Sequence, residues 1–161
     1  MSKRQERQRF IRHYKEQTGE TELDMNKVAA LAQKMGWKMP VPPSPLDLLA
    51  KQFAESAAEE TEYDEDNGNP YRVYHAIPAG TGQLNLFYYI DIADATRGQM
   101  HKAAVIRREQ MVRDGLQLSF DLERWNKINP AEEPIELPMD LTLDIEIAKH
   151  ADEDDRKKRP A

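Results

Sequence analysis

The chain contains no cysteine, which excludes disulfides, thiolate metal sites and thiol nucleophiles. No stretch approaches the ~18 consecutive apolar residues that a membrane-spanning helix needs, so no membrane partner is expected. The basic opening, MSKRQERQRF, has no apolar segment behind it. No secretory signal is read there, and a cytoplasmic location is expected. Aromatic residues make up only 7% of the chain. With 39% hydrophobic and 32% charged residues, a core is expected that leaves part of the chain solvated. At 161 residues the chain suits one compact domain with tails.

Familiar catalytic and metal patterns are missing as well. His13, His75, His101 and His150 show no ligand spacing with one another or with nearby carboxylates. An acidic stretch with Asp64, Asp66 and Gly68 resembles a calcium loop only superficially. Counted from Glu62, the required glycine is Asn67 and the twelfth residue is Val73. Gly80-x-Gly82 lacks the rest of a phosphate loop, and no serine stands in a G-x-S-x-G setting. Asp91 and Asp94 are the only pair that suggests a metal-dependent enzyme, and no Glu-x-Lys follows them. That reading ranks third. No catalytic residue, metal or cofactor is assigned.

Charge is unevenly distributed. Residues 1–18 carry six Lys or Arg against two Glu, whereas residues 46–70 carry Lys51 against eight carboxylates. A basic end beside an acidic middle can attract nucleic acid locally while the whole molecule, at net −6, repels it.

Periodicity and capping signals predict an α+β, mainly helical fold. A first helix is read over residues 3–17, ended by Thr18-Gly19. A second starts at the N-cap Asp24 and closes at Gly36, with Trp37 folding back on it. After the stiff MPVPPSP turn, Ser44-Pro45-x-Asp47 marks a third helix, with Leu46, Leu49, Phe53 and Ala57 as its buried stripe. Residues 61–70 are read as a loop. Residues 71–77 and 84–92 then form a hairpin with Ile77 opposite Leu84. This register puts Tyr74, Phe87 and Tyr89 on one face and Val73, His75, Leu86 and Ile90 on the other, so both faces need cover.

Thr96 with Gln99 caps a long helix over residues 96–129, with a kink expected at Gly115. Within it Ala104, Met111, Leu118 and Trp125 recur every seven residues, while Leu116, Leu118, Phe120 and Leu122 alternate like a strand. The helix is preferred; strand over 116–122 remains the alternative. The domain is drawn at 1–130, followed by an extended acidic arm at 131–147 and a disordered charged tail at 148–161.

Two helices, a proline turn, a helix and a hairpin resemble a winged-helix module in element order. In that family the third helix usually enters the major groove. Here that helix is acidic, so DNA contact is assigned instead to Arg4, Arg7, Arg9 and Arg12, with Lys34, Lys38 and Arg72. The pentapeptide QLNLF resembles the docking peptide by which bacterial replication and repair proteins bind the sliding clamp. That resemblance makes Gln83, Leu86 and Phe87 anchors for a clamp partner. The segments NPYRVYHA, RREQMVRDG and PIELPMDLTLDIE are similar to a group of uncharacterised small bacterial proteins, which implies a bacterial setting and no activity.

The preferred function from sequence is a non-enzymatic, nucleic-acid-associated or regulatory module of winged-helix type. The alternative is a protein-interaction adaptor or homodimer that associates through the hairpin or through Met111, Leu118 and Trp125.

Overall fold

The computed structural model describes residues 1–80 and 87–158, with five helices and four strands among them. The fold is α+β and mainly helical. Contacts cluster into two compact units, Met1–Gln52 and Phe53–Ala161, where sequence had suggested one domain over 1–130.

In the first unit, α1 (Lys3–Thr18) starts at a capping box that the sequence reading missed. The Gln5 amide donates to Ser2 Oγ at 3.3 Å and the Ser2 amide to Gln5 Oε1 at 2.9 Å. Gly19 ends the helix at φ 70°, a left-handed conformation that favours glycine, and its N–H donates to the Lys15 carbonyl at 2.8 Å. In α2 (Met25–Lys34), Asp24 Oδ1 accepts from the Asn26 amide at 2.8 Å. Phe10 and Tyr14 of α1 and Val28 and Ala32 of α2 form the core, flanked by Ile11, Leu23, Leu31 and Trp37. After Gly36 the Trp37 amide donates back to the Ala32 carbonyl, and its ring lies 4.9 Å from that of Phe10. Burial, and then a hydrogen bond donated to Glu20, push the Tyr14 phenol above its ordinary pKa.

Helix α3 (Pro45–Glu59) begins where the capping signal placed it. The Asp47 amide donates to Ser44 Oγ at 3.2 Å. Its expected buried stripe is corrected: Leu46 is 75% exposed, Leu49 48% and Phe53 68%. Ala57 is half-buried, together with Ala54 and Ala58. A capping signal determines where a helix starts but carries no information on which face finds cover.

In the second unit, β1 (Thr61–Tyr63) pairs antiparallel with β2 (Pro70–Arg72), Thr61 opposite Arg72 and Tyr63 opposite Pro70. The acidic stretch read as a loop is therefore largely a hairpin. Its turn is built by side chains: Asp64 Oδ1 accepts from the amides of Asp66 and Asn67, and Asn67 Oδ1 from that of Asn69. Gly68 completes the turn at φ 68°.

The other hairpin pairs β3 (Tyr74–Pro78) with β4 (Phe87–Asp91), Tyr74 opposite Asp91 and Ile77 opposite Tyr88. Its register is thus four residues away from the expected pairing of Ile77 with Leu84, and Tyr71 and Arg72, which that pairing placed in this hairpin, pair with β1 instead. A slip of even number leaves the two faces intact. Phe87, Tyr89 and Tyr74 still share one face, and His75 and Ile90 the other. Buried Val73 joins the hairpins, donating to the Glu60 carbonyl and accepting from the Ile92 amide.

Helix α4 (Arg97–Ile128) packs against β3 and runs unbroken through residues 116–122, which rules out the strand alternative there. Residues 148–158, expected to be disordered, belong to α5 (Thr142–Lys158), as do residues 142–147 of the expected arm. Leu141, Leu143, Ile145 and Ile147 alternate as in an extended chain, yet residues 142–147 are helical. The start is instead set by Asp140 Oδ1, which accepts from the Thr142 amide at 3.0 Å. Bonds from Thr142 hold the Asp140 carboxyl below its ordinary pKa. Asp144 in the first turn and Arg156, Lys157 and Lys158 in the last suit the helix dipole. Arg156 donates to the Gly68 carbonyl and to Asn69 Oδ1, tying α5 to the β1–β2 turn. Among the described residues no helix is long and apolar enough to cross a membrane.

The two hydrophobic assignments separate cleanly on mutation. Phe10→Ala should cost about 3–5 kcal/mol, the usual range for an aromatic core truncation. Phe53→Ala should stay within about 0.5 kcal/mol, as exposed positions do. Urea melts that ranked the two in the opposite order would place the core on α3.

Candidate functional site

The longest element exposes most of its own apolar surface. Helix α4 is started by a complete capping box, with the Gln99 amide donating to Thr96 Oγ1 at 3.3 Å and the Thr96 amide to Gln99 Oε1 at 2.9 Å. At its end Asn129 donates to the Trp125 carbonyl through both its amide and its side chain, at 3.1 and 2.9 Å. Ala103 is its only buried residue.

Residues 131–141 turn back along the helix without regular structure. Asn126 holds them as a strand neighbour would: its Nδ2 donates to the Ile135 carbonyl at 3.0 Å, and its Oδ1 accepts from the Ile135 amide at 2.9 Å. The Met139 sulfur lies 3.9 Å from the place where a Cβ on Gly115 would stand. Gly115 is thus a landing point for the arm. Half-buried Gly115, Ser119, Leu122 and Asn126 lie at spacings of four, three and four, one face of a helix.

Beside that covered face runs an open one. Met111 is 55% exposed, Leu118 40% and Trp125 37%, and Ala104 in the same heptad position is also exposed. On the other flank of the arm, Val112, Leu116 and Phe120 form a second open stripe at i, i+4, i+8. Single exposed apolar residues need no explanation, but rows of large ones along one helix form a candidate interaction surface. In the hairpin Phe87, Tyr88 and Tyr89 are exposed too.

Of the residues assigned to a partner, Met111, Leu118 and Trp125 therefore come together on one stripe. Gln83 and Leu86, with Leu84, lie outside the described residues, and Phe87 opens β4 opposite Pro78. Of the residues assigned to nucleic acid, Arg4, Arg7, Arg9 and Arg12 are exposed on α1. Lys34 and Lys38 are exposed in the same unit. Arg72 stands on β2 in the other unit, opposite Thr61. Arg9 and His13 border an open hollow of about 340 Å³ with Phe10 and Trp37.

No group of His, Asp and Glu among the described residues is placed to hold a metal ion. The Tyr71 phenol donates to Glu62 Oε2 at 3.0 Å, and this bond, with burial, raises its pKa. The sequence reading missed the Asn126 clasp, whose signal was an Asn near the end of the helix followed by an arm with Pro134, Pro138 and alternating apolar residues. No protein-family model matches the chain, and no curated protein or solved structure is significantly similar to it.

The clasp can be tested directly. Asn126→Ala removes two part-solvated hydrogen bonds worth about 0.5–1.5 kcal/mol each. The Ile135 amide should then exchange with solvent several-fold faster while the amides of α1 are unchanged. Unaltered exchange at Ile135 would mean that apolar contacts alone hold the arm.

Proposed function

We propose that this chain is a non-enzymatic protein-interaction module that associates with another protein chain through the apolar face of α4 bearing Met111, Leu118 and Trp125. One observation carries the reading: the arm settles on the neighbouring Gly115–Asn126 face and leaves this stripe open. A stripe of large apolar side chains at seven-residue spacing suits a helical partner. Met111→Lys with Leu118→Lys should abolish association in light scattering and leave the circular-dichroism helix signal unchanged. It should also reduce binding of an apolar-surface dye by whatever fraction is free. A double variant with the same mass and the same dye signal as wild type would remove the stripe from the function.

A second reading, nucleic-acid association, is favoured by how charge divides between the units. Residues 1–52 carry ten Lys or Arg against six carboxylates, and residues 53–161 carry thirteen against twenty-three. The contact would run through α1, because Asp47, Glu55 and Glu59 on α3 repel phosphates. In a low-salt titration, replacing Arg4, Arg7, Arg9 and Arg12 by Ala should abolish duplex DNA binding. Wild-type affinity should fall steeply with salt, since each phosphate contact releases about 0.9 counterion. Wild type without binding at ~50 mM salt, where affinity is highest, ends this reading.

A further inference from the structure

From the distribution of charge and side-chain size along α4, we infer that the partner chain on the Met111–Leu118–Trp125 stripe is a second copy of this protein, with its α4 running antiparallel. This rests on the interaction reading above and adds the partner, the direction and the register.

Charge decides the direction. The first half of α4, residues 97–113, carries Arg97, Lys102, Arg107, Arg108 and Arg113 against Glu109 alone. The second half, with the arm folded beside it, covers residues 114–141 and carries seven carboxylates against Arg124 and Lys127. A parallel pair sets like against like along the whole length. An antiparallel pair sets the basic half of each copy against the acidic half and arm of the other.

Size decides the register. Centring the antiparallel pair between residues 114 and 115 places Met111 opposite Leu118 of the second copy, and the small Ala104 opposite the large Trp125. A parallel pair would stack Trp125 on Trp125 and leave Ala104 facing Ala104, a bulge beside a gap. In the antiparallel register Arg107 of one copy stands within one residue of Asp121 of the other, twice by symmetry. These positions flank the apolar seam, where charges choose partner and direction in paired helices. One contact opposes the pairing: the two copies of Asp114 approach each other beside the axis, each one residue from level.

The chain has no cysteine, so each single-cysteine variant carries one thiol. The full-length protein should scatter light as a dimer. Asp114→Cys, beside the axis, should oxidise to a covalent dimer with itself and, by removing the like charge, should also tighten association. Ala104→Cys should not link to itself but should link to Trp125→Cys when the two variants are mixed. Arg107→Asp should weaken the dimer at least several-fold, and adding Asp121→Arg should restore it, an arm that needs no change in the seam.

Self-linking of Ala104→Cys would show a parallel pair and overturn the direction while leaving the stripe as the interface. A wild type that is monomeric at every concentration would overturn the second copy as partner. A dimer indifferent to lysines at Met111 and Leu118 would overturn the interaction reading itself.

Discussion

A helix of 32 residues is about 48 Å long, and the rest of its unit has little to lay against it. The hairpin of β3 and β4 packs at one end, where Ala103 is buried, and an eleven-residue arm returns along the other. Both covers are narrow. With the arm on the Gly115–Asn126 face, apolar stripes remain on each side of it. A helix of this length is stabilised in water mainly by burying one face, and most of the apolar side chains of α4 are exposed, which is the observation the proposed function starts from.

In the second unit several polar side chains reach the backbone of distant or turn residues. Asn126 pairs with both backbone groups of Ile135, Asp64 gathers the amides of its own turn, and Arg156 bonds to the carbonyl side of that turn. Each such bond contributes on the order of 1 kcal/mol, less than a well-buried leucine. They set direction and register more than stability. The same devices decide where the arm lies, and hence which apolar residues of α4 stay open.

The two surfaces with functional promise lie in different units and differ in kind. Unit Met1–Gln52 offers exposed arginines on α1 around a small aromatic core. Unit Phe53–Ala161 is acidic overall and offers an apolar stripe bordered by charge of both signs. An acidic α3 sets this arrangement apart from a winged helix that reads DNA through its third helix.

Local signals were legible because their physics is local. Asp24, Ser44 and Thr96 start their helices by bonding amides two or three residues on, so the sequence alone located α2, α3 and α4. The seven-residue spacing likewise put Met111, Leu118 and Trp125 on one stripe before any fold was known. Burial was not legible, because it depends on what other segments leave available. Leu46, Leu49 and Phe53 make a sound apolar stripe, and all three are exposed among the described residues. Tyr71 and Arg72 were likewise drawn elsewhere, pairing with β1 instead of β4. The alternating residues from Leu141 lie mostly in helix, where the Asp140 bond to the Thr142 amide and the charges at both ends favour that conformation. Sequence determined where helices begin and which residues share a face; the tertiary structure decided which faces are covered, since only the folded chain brings distant segments into contact.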